Sequence, residues 1–220
     1  MEKYISKKEK ASYGFAAVGS YMVAGITQSY LMYFFTDILI IPSAFVMMLM
    51  IVARAWDALN DPMMGVIVDR TSTKYGKMRP YVLIGSFLML VTTIVLFMPL
   101  TGAPTMFKMI FAAVSYIIFG MAYTLTDVPA MGLMSVATPN SDERASLLSF
   151  YVTVGSVGSL LPVGLLTIFQ SFIPEKYVYF AMSIFVGIIT SAAYLTLFKN
   201  SKERFSTHTE KIAVRDMIKA

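Results

Sequence analysis

The stretch Ala53-Arg54-Ala55-Trp56-Asp57-Ala58-Leu59-Asn60-Asp61-Pro62 lies inside an apolar run over residues 43–68. A run of about 20 mostly apolar residues is long enough to cross a bilayer as a helix. Residues three or four apart share one helix face, so the polar side chains of this stretch form one stripe: Arg54, Asp57, Asn60 and Asp61. Charged groups inside a membrane are costly and are usually functional. The stretch therefore predicts a membrane helix that carries a functional site.

Similar apolar runs recur along the 220 residues, separated by short polar segments. They predict six membrane spans at residues 12–36, 43–68, 81–100, 107–134, 146–170 and 176–198. Hydrophobic residues make up 57% of the chain and charged residues 14%, whereas soluble proteins carry about 25% charged residues. We therefore predict an all-α, polytopic membrane protein.

The composition also excludes several functional classes. The chain has no cysteine and one histidine, His208, in a polar tail. A disulfide scaffold, a thiolate metal site and histidine-based catalysis are thus ruled out. No span carries a nucleophile paired with a base, so an enzyme is not expected. The net charge of +5 does not indicate nucleic-acid binding, because the basic residues lie between the apolar runs.

The positions of the basic residues predict the orientation of the chain. Of the 18 lysine and arginine residues, all but Arg54, Lys108 and Lys176 fall in segments on one side of the predicted spans. Such segments face the cytoplasm in membrane proteins. We expect residues 1–11 to be a cytoplasmic N-terminus, 12–198 to be a six-helix bundle, and 199–220 to begin a cytoplasmic loop.

The stripe on the second span indicates cation binding. It holds two carboxylates, Asp57 and Asp61, and one guanidinium, so it lacks one positive charge. A bound Na⁺ or Li⁺ would supply that charge, with the carboxylates and the Asn60 amide as hard oxygen ligands. A proton shared between the paired carboxylates is one alternative. An internal salt bridge between Arg54 and Asp57 that only holds helices together is another.

The fourth span carries a second polar face, with Tyr123, Thr124 and Asp127 at close helical spacing. Thr124 and Asp127 are three residues apart, so both are expected to point into one cavity. There they would bind either a polar solute or the cation. The alternative is a hydrogen bond between helices.

The connection between the second and third spans has its own motif. Its members are Gly65, Asp69, Arg70, Gly76, Lys77 and Arg79. Gly65 is expected to permit close helix approach, and Asp69 to pair with nearby basic residues and latch helices together. Alternatively, these basic residues only set the topology. In the fifth span, Gly155 and Gly158 are predicted to form small-residue helix contacts.

These blocks resemble one known family in order and spacing. They are Ser12–Phe15, Tyr30–Asp37, Ala53–Pro62, Gly65–Pro80 and Tyr123–Pro129. Together they resemble the glycoside–pentoside–hexuronide:cation symporters of the major facilitator superfamily, over roughly residues 10–220. The Trp-Asp-x-x-Asn-Asp-Pro block is the most specific of them, whereas the loop motif alone indicates only the superfamily.

The resemblance implies half of a twelve-helix secondary transporter, built as an inverted three-plus-three helix repeat. Such proteins move a sugar together with Na⁺, Li⁺ or H⁺ across the bacterial inner membrane, and they need no cofactor besides the coupling cation. The expected partners are lipid, a sugar or glycoside, and a C-terminal six-helix half in cis or in trans. By resemblance, Asp57 and Asp61 are the main cation (metal) ligands, Asn60 and Thr124 lie beside them, and Asp127 contacts sugar hydroxyls.

The chain departs from the melibiose-type pattern at the sugar site. Ser20 and Tyr21 stand where that pattern has a Lys-Asp pair, Val152 stands for an arginine, and Met131 for an aromatic residue. We therefore expect coupling to be kept while the substrate is not a melibiose-like galactoside. Other hydroxyl and amide contacts are expected from these residues: Tyr21, Gln28, Tyr123 and Tyr151.

Three functions remain open on the sequence. The first is cation-coupled symport of a sugar or glycoside. The second is a non-transporting membrane receptor or scaffold, suggested by the divergent sugar positions. The third is a truncated or split half-transporter without activity of its own, suggested by the position of Ala220 within the predicted middle loop.

Overall fold

A computed structural model describes residues 4–205, and these residues form six long helices. The helices are α1 (Lys7–Tyr33), α2 (Ser43–Arg70), α3 (Arg79–Leu96), α4 (Thr105–Ala137), α5 (Ser141–Gln170) and α6 (Glu175–Asn200). The described part of the chain contains no strand longer than an isolated bridge. The predicted all-α architecture is confirmed. His208 and the rest of the tail lie outside the described residues.

The polar breaks between the predicted spans become helix starts. Pro42, Pro104 and Pro174 directly precede α2, α4 and α6, where a missing N–H costs nothing because the first turn has no intrahelical partner. Asn140 caps α5 by accepting hydrogen bonds from the backbone N–H groups of Asp142 and Glu143. These local signals explain why the predicted spans and the observed helices agree closely. The largest differences are at the starts of α1 and α5, each of which begins five residues earlier than predicted.

Helices α2 to α6 are long and apolar enough to cross a membrane by length and composition. Helix α1 differs because small and polar residues, such as Ser12, Gly14 and Ser20, make up much of its buried surface. It packs chiefly against α5 and α6. A helix surrounded by protein needs fewer apolar side chains than a helix that faces lipid.

The packing pairs show the predicted internal repeat. Exchanging α1, α2 and α3 for α4, α5 and α6 turns the α1–α5 pair into α4–α2 and the α1–α6 pair into α4–α3. The α3–α6 pair maps onto itself. This symmetry of contacts is the one expected of a three-plus-three repeat, and it places α1 and α4 in equivalent inner positions.

Glycines set the close approach of α1 to α5. A Cβ atom at Gly158 would lie 2.8 Å from the backbone oxygen of Val18, and one at Gly25 would lie 2.6 Å from that of Ser159. At Gly155 the Tyr21 ring occupies the corresponding space. The small-residue contacts predicted for the fifth span are therefore present. Gly65 behaves differently: no atom of another described helix lies within 4 Å of its Cβ position, so no described helix makes the close approach predicted there.

Gly158→Ala is expected to destabilise the bundle. The new methyl group must push the backbone of α1 away, and overpacking of this kind costs about 1–3 kcal/mol. Gly164→Ala on the same helix is the matched control, because its Cβ meets open space and alanine favours helix. Thermal unfolding in detergent should give a lower midpoint for Gly158→Ala only. Equal midpoints for the two variants would contradict the close contact.

The segment that follows α6, Ser201–Phe205, ties four helices together at one end of the bundle. The Glu203 carboxylate accepts hydrogen bonds of 2.8–3.0 Å from the backbone N–H groups of Lys77, Met78 and Arg79, at the start of α3. An anion is favoured there by the free N–H groups and by the helix dipole. Gly76 has φ +105°, and a Cβ there would meet the Glu203 carboxylate. Glycine is thus required at this turn.

Arg204 completes the segment by pairing with Glu9 of α1. Its two terminal nitrogens lie 2.9 and 2.7 Å from the Glu9 carboxylate oxygens, and the Glu9 side chain is only 1% exposed. These hydrogen bonds raise the pKa of Arg204 above the ordinary arginine value. The backbone N–H groups of Arg204 and Phe205 also bind the carbonyl of Val136 at the end of α4.

The latch predicted at Asp69 is not formed by Asp69 itself. Asp69 is exposed, and neither ion pair found among the described residues involves it, Arg70 or Lys77. Arg79 instead donates a 2.6 Å hydrogen bond to the Phe198 carbonyl and lies over the Phe198 ring. The carboxylate that stabilises the connection between α2 and α3 is that of Glu203, which follows α6.

Arg204→Met is expected to lower the free energy of unfolding by about 3 kcal/mol, because it leaves the buried Glu9 carboxylate without its ion-pair partner. The double variant Glu9→Met/Arg204→Met should recover most of this loss, since no unpaired charge remains. Lys202→Met, an exposed cation two residues away, should have little effect. A double variant that is less stable than Arg204→Met in thermal unfolding would show that the ion pair is not the source of the stability.

Candidate solute and cation site

A cavity of about 220 Å³ lies between α1, α2 and α4. Its polar lining collects most of the residues singled out in the sequence. They are Thr27 and Gln28 from α1, Arg54, Asp57 and Asp61 from α2, and Tyr116, Tyr123, Thr124 and Asp127 from α4. The two polar faces predicted separately on the second and fourth spans thus meet at one place.

A direct contact joins the two faces. The Thr124 hydroxyl donates a 2.8 Å hydrogen bond to Oδ1 of Asp61. Gly120 lies one turn before Thr124, and a Cβ atom there would be 3.2 Å from Oδ1 of Asp57. Because residue 120 of α4 has no side chain, both α2 carboxylates can lie against α4 at the cavity wall.

The salt bridge considered between Arg54 and Asp57 is weak. The closest nitrogen–oxygen distance is 3.9 Å, and the Arg54 side chain is 69% exposed. That distance is too long for a hydrogen bond, and exposed ion pairs contribute little stability. Arg54 therefore does not hold Asp57 in place, and the Asp57 carboxylate remains available to the cavity.

Asn60 differs from the rest of its stripe because it does not line the cavity. Its amide nitrogen is buried, and it has no hydrogen-bond partner among the described residues. Buried amides are normally paired, so this nitrogen has capacity for a partner beyond those described.

Two tyrosines expected at the site lie outside the cavity wall. Tyr21 packs against Gly155 and meets the Tyr151 ring edge-on, with 6.2 Å between the ring centres. Tyr151 is fully buried. The structure thus brings Gln28 and Tyr123 to the cavity, but not Tyr21 or Tyr151.

Three hydroxyl groups, each from a different helix and none of them lining the cavity, bind the Asp127 carboxylate. Its Oδ1 accepts hydrogen bonds from Ser20 of α1 at 2.9 Å, Tyr151 of α5 at 3.4 Å and Tyr194 of α6 at 3.3 Å. The Ser20 and Tyr123 hydroxyls also lie 3.2 Å apart. Sequence reasoning missed the part played by Ser20 and Tyr194, because no local spacing relates residues on separate helices.

The cavity offers two chemically distinct regions. Asp57, Asp61 and Thr124 present hard oxygen atoms suited to a small cation or a proton. Asp127, Tyr123 and Gln28 present the acceptors and donors that recognise a polar, hydroxyl-bearing solute. The described residues contain no cluster of three or more histidine or acidic side chains arranged as a metal site.

The chain is similar to several known transporters. It is 33% identical to the uncharacterized symporter YjmB of Bacillus subtilis, covering 99% of this chain and 49% of that protein. It is 30% identical to the inner membrane symporter YicJ of Escherichia coli, covering 96% of this chain and 46% of that protein. It is 28% identical to the isoprimeverose transporter of Lactiplantibacillus pentosus, with the same two coverages.

The chain spans about half the length of the curated relatives it matches. The family model described as MFS/sugar transport protein matches residues 12–220. This family consists of transporters rather than enzymes, and the similar proteins are named as symporters or as a transporter. The resemblance carried by the Ala53–Pro62 block is confirmed: the chain belongs to the glycoside–pentoside–hexuronide symporters within the MFS/sugar transport protein family.

Proposed function

We propose that this chain is the N-terminal half of a cation-coupled symporter for a sugar or glycoside. The observation that carries the proposal is that Asp57, Asp61 and Asp127 line the same cavity, where the Thr124 hydroxyl donates a hydrogen bond to Asp61. Two sets of oxygen atoms with different preferences share one small space. A cation and a solute bound there each change the affinity for the other, and this reciprocity is the basis of coupling.

The cation is proposed to bind between Asp57, Asp61 and Thr124. Two carboxylates that line one cavity favour any positive charge added between them, whether Na⁺, Li⁺ or H⁺. Asn60 remains a proposed ligand through its side-chain carbonyl oxygen, because it directly precedes Asp61 on the same helix.

The solute is proposed to bind at Asp127, Tyr123 and Gln28. These side chains offer hydrogen bonds to hydroxyl groups, which are the main feature of sugars. The residues at positions 20, 21, 131 and 152 depart from the melibiose-type pattern, which argues for a substrate other than a melibiose-like galactoside. The isoprimeverose transporter among the relatives makes isoprimeverose one reasonable test sugar.

Transport further requires a second six-helix half, which we propose to face the cavity in cis or in trans. Helices α2 and α5 leave large apolar side chains exposed, among them Ile51, Leu59 and Leu160, and such surfaces suit lipid or another helical unit. The complete symporter would lie in the cytoplasmic membrane with both ends of this half in the cytoplasm, as the distribution of lysine and arginine favours.

The direct test is uptake by cells that express the complete protein. A panel of labelled sugars, including isoprimeverose, melibiose and methyl glycosides, is offered with Na⁺, with Li⁺, or at two pH values without either ion. We expect uptake of at least one non-galactoside sugar to be stimulated by one of the three cations. Uptake that no cation changes would overturn coupling, and Na⁺-stimulated melibiose uptake would overturn the substrate assignment.

Asp57→Asn and Asp61→Asn are each expected to remove cation stimulation, because each deletes one negative ligand. Thr124→Val should act more mildly and raise the half-activating cation concentration about tenfold, as expected for the loss of a hydrogen bond to a charged group. Asp142→Asn, an exposed carboxylate outside the cavity, is the control. Full stimulation in both aspartate variants would exclude them as the cation site.

A further inference from the structure

The hydroxyl groups around Asp127 form a buried cage on one side of its carboxylate. Ser20 and Tyr151 are 0% exposed and Tyr194 is 1% exposed. All three donate to the same oxygen, Oδ1. They come from α1, α5 and α6, whereas Asp127 belongs to α4. Four helices therefore meet at one carboxylate oxygen.

The cage lies behind the cavity rather than in it. Asp127 lines the cavity, but Ser20, Tyr151 and Tyr194 do not. None of the described residues donates a hydrogen bond to Oδ2 of Asp127, and neither ion pair among them involves Asp127. The described residues thus supply three donors to one oxygen and none to the other.

This asymmetry fixes the orientation of the Asp127 carboxylate. A carboxylate turns easily about its last bond, because that torsion has a broad, two-fold potential. Donors that bind one oxygen from three directions hold the carboxylate plane at a single angle. Hydrogen bonds to a charged acceptor are also stronger than neutral ones. A recognition group needs such support from behind to keep its productive geometry.

We propose that Ser20, Tyr151 and Tyr194 are positioning residues that fix Asp127 so that Oδ2 faces the solute. The inference rests on the proposed solute site and adds a specificity rule. An ionised carboxylate only accepts hydrogen bonds, so the solute must present a donor hydroxyl at this point. A sugar whose hydroxyl at that position is methylated loses the contact and clashes with the fixed oxygen.

Tyr194→Phe and Tyr151→Phe test the proposal because each removes one donor and keeps the ring. In the complete protein, each variant should raise the KM for the best sugar of the panel about three- to tenfold. The maximal rate and the cation activation measured at saturating sugar should stay near wild type. Tyr13→Phe is the matched control: this tyrosine is equally buried, and its hydroxyl has no hydrogen-bond partner among the described residues.

Infrared difference spectroscopy of the purified protein, without any sugar, gives a readout that is independent of transport. The carboxylate stretch of Asp127 is assigned by its loss in Asp127→Asn. It should shift in Tyr194→Phe, in Tyr151→Phe and in Ser20→Ala, but not in Tyr13→Phe. If a tyrosine variant fails to fold, Ser20→Ala still tests the proposal, because Ser20 donates to the same oxygen.

The outcomes separate the two proposals. A shifted band together with a raised KM supports the positioning role. An unshifted band, with or without a raised KM, overturns it, because the hydroxyls then do not act through Asp127. A shifted band in a protein that transports none of the panel sugars supports the cage and counts against the proposed function.

Discussion

A carboxylate placed inside an apolar helical bundle must find partners there, and this requirement organises the molecule. Asp61 receives the Thr124 hydroxyl, and Asp127 receives three hydroxyls from behind. Each contact draws α4 toward another helix. The hydrogen bonds that lower the cost of burying Asp127, and the one that Thr124 donates to the more exposed Asp61, therefore also shape the cavity. Asp57, which no hydroxyl contacts among the described residues, is the carboxylate with most capacity left for a cation.

The close packing of α1 makes these contacts possible. Gly158 of α5 lets the backbone of α1 approach, and Ser20, two residues beyond Val18, then reaches Asp127 of α4 at 2.9 Å. A larger residue at position 158 would separate α1 from α5 and loosen the cage around Asp127. Helix packing and the hydrogen bonding of Asp127 therefore depend on the same small residues.

The helices and the two polar faces were predictable from the sequence, because apolar length and helical spacing are local properties. Asp57, Asn60, Asp61 and Thr124 were predicted as a cation site and Asp127 as a sugar contact, on this basis and on family resemblance. All of them except Asn60 line one cavity. The roles of Tyr194 and Glu203 were not predictable. Each acts on a helix that is more than 60 residues away in sequence, and only the packing of α6 brings them there.

Helix α6 links Asp127 to the connection between α2 and α3. Tyr194 binds Asp127, and Phe198, one turn later on the same face, accepts the Arg79 side chain at its carbonyl and stacks under it. Glu203 then caps the start of α3. A displacement of α6 along its axis would therefore disturb Asp127 and the α2–α3 connection together.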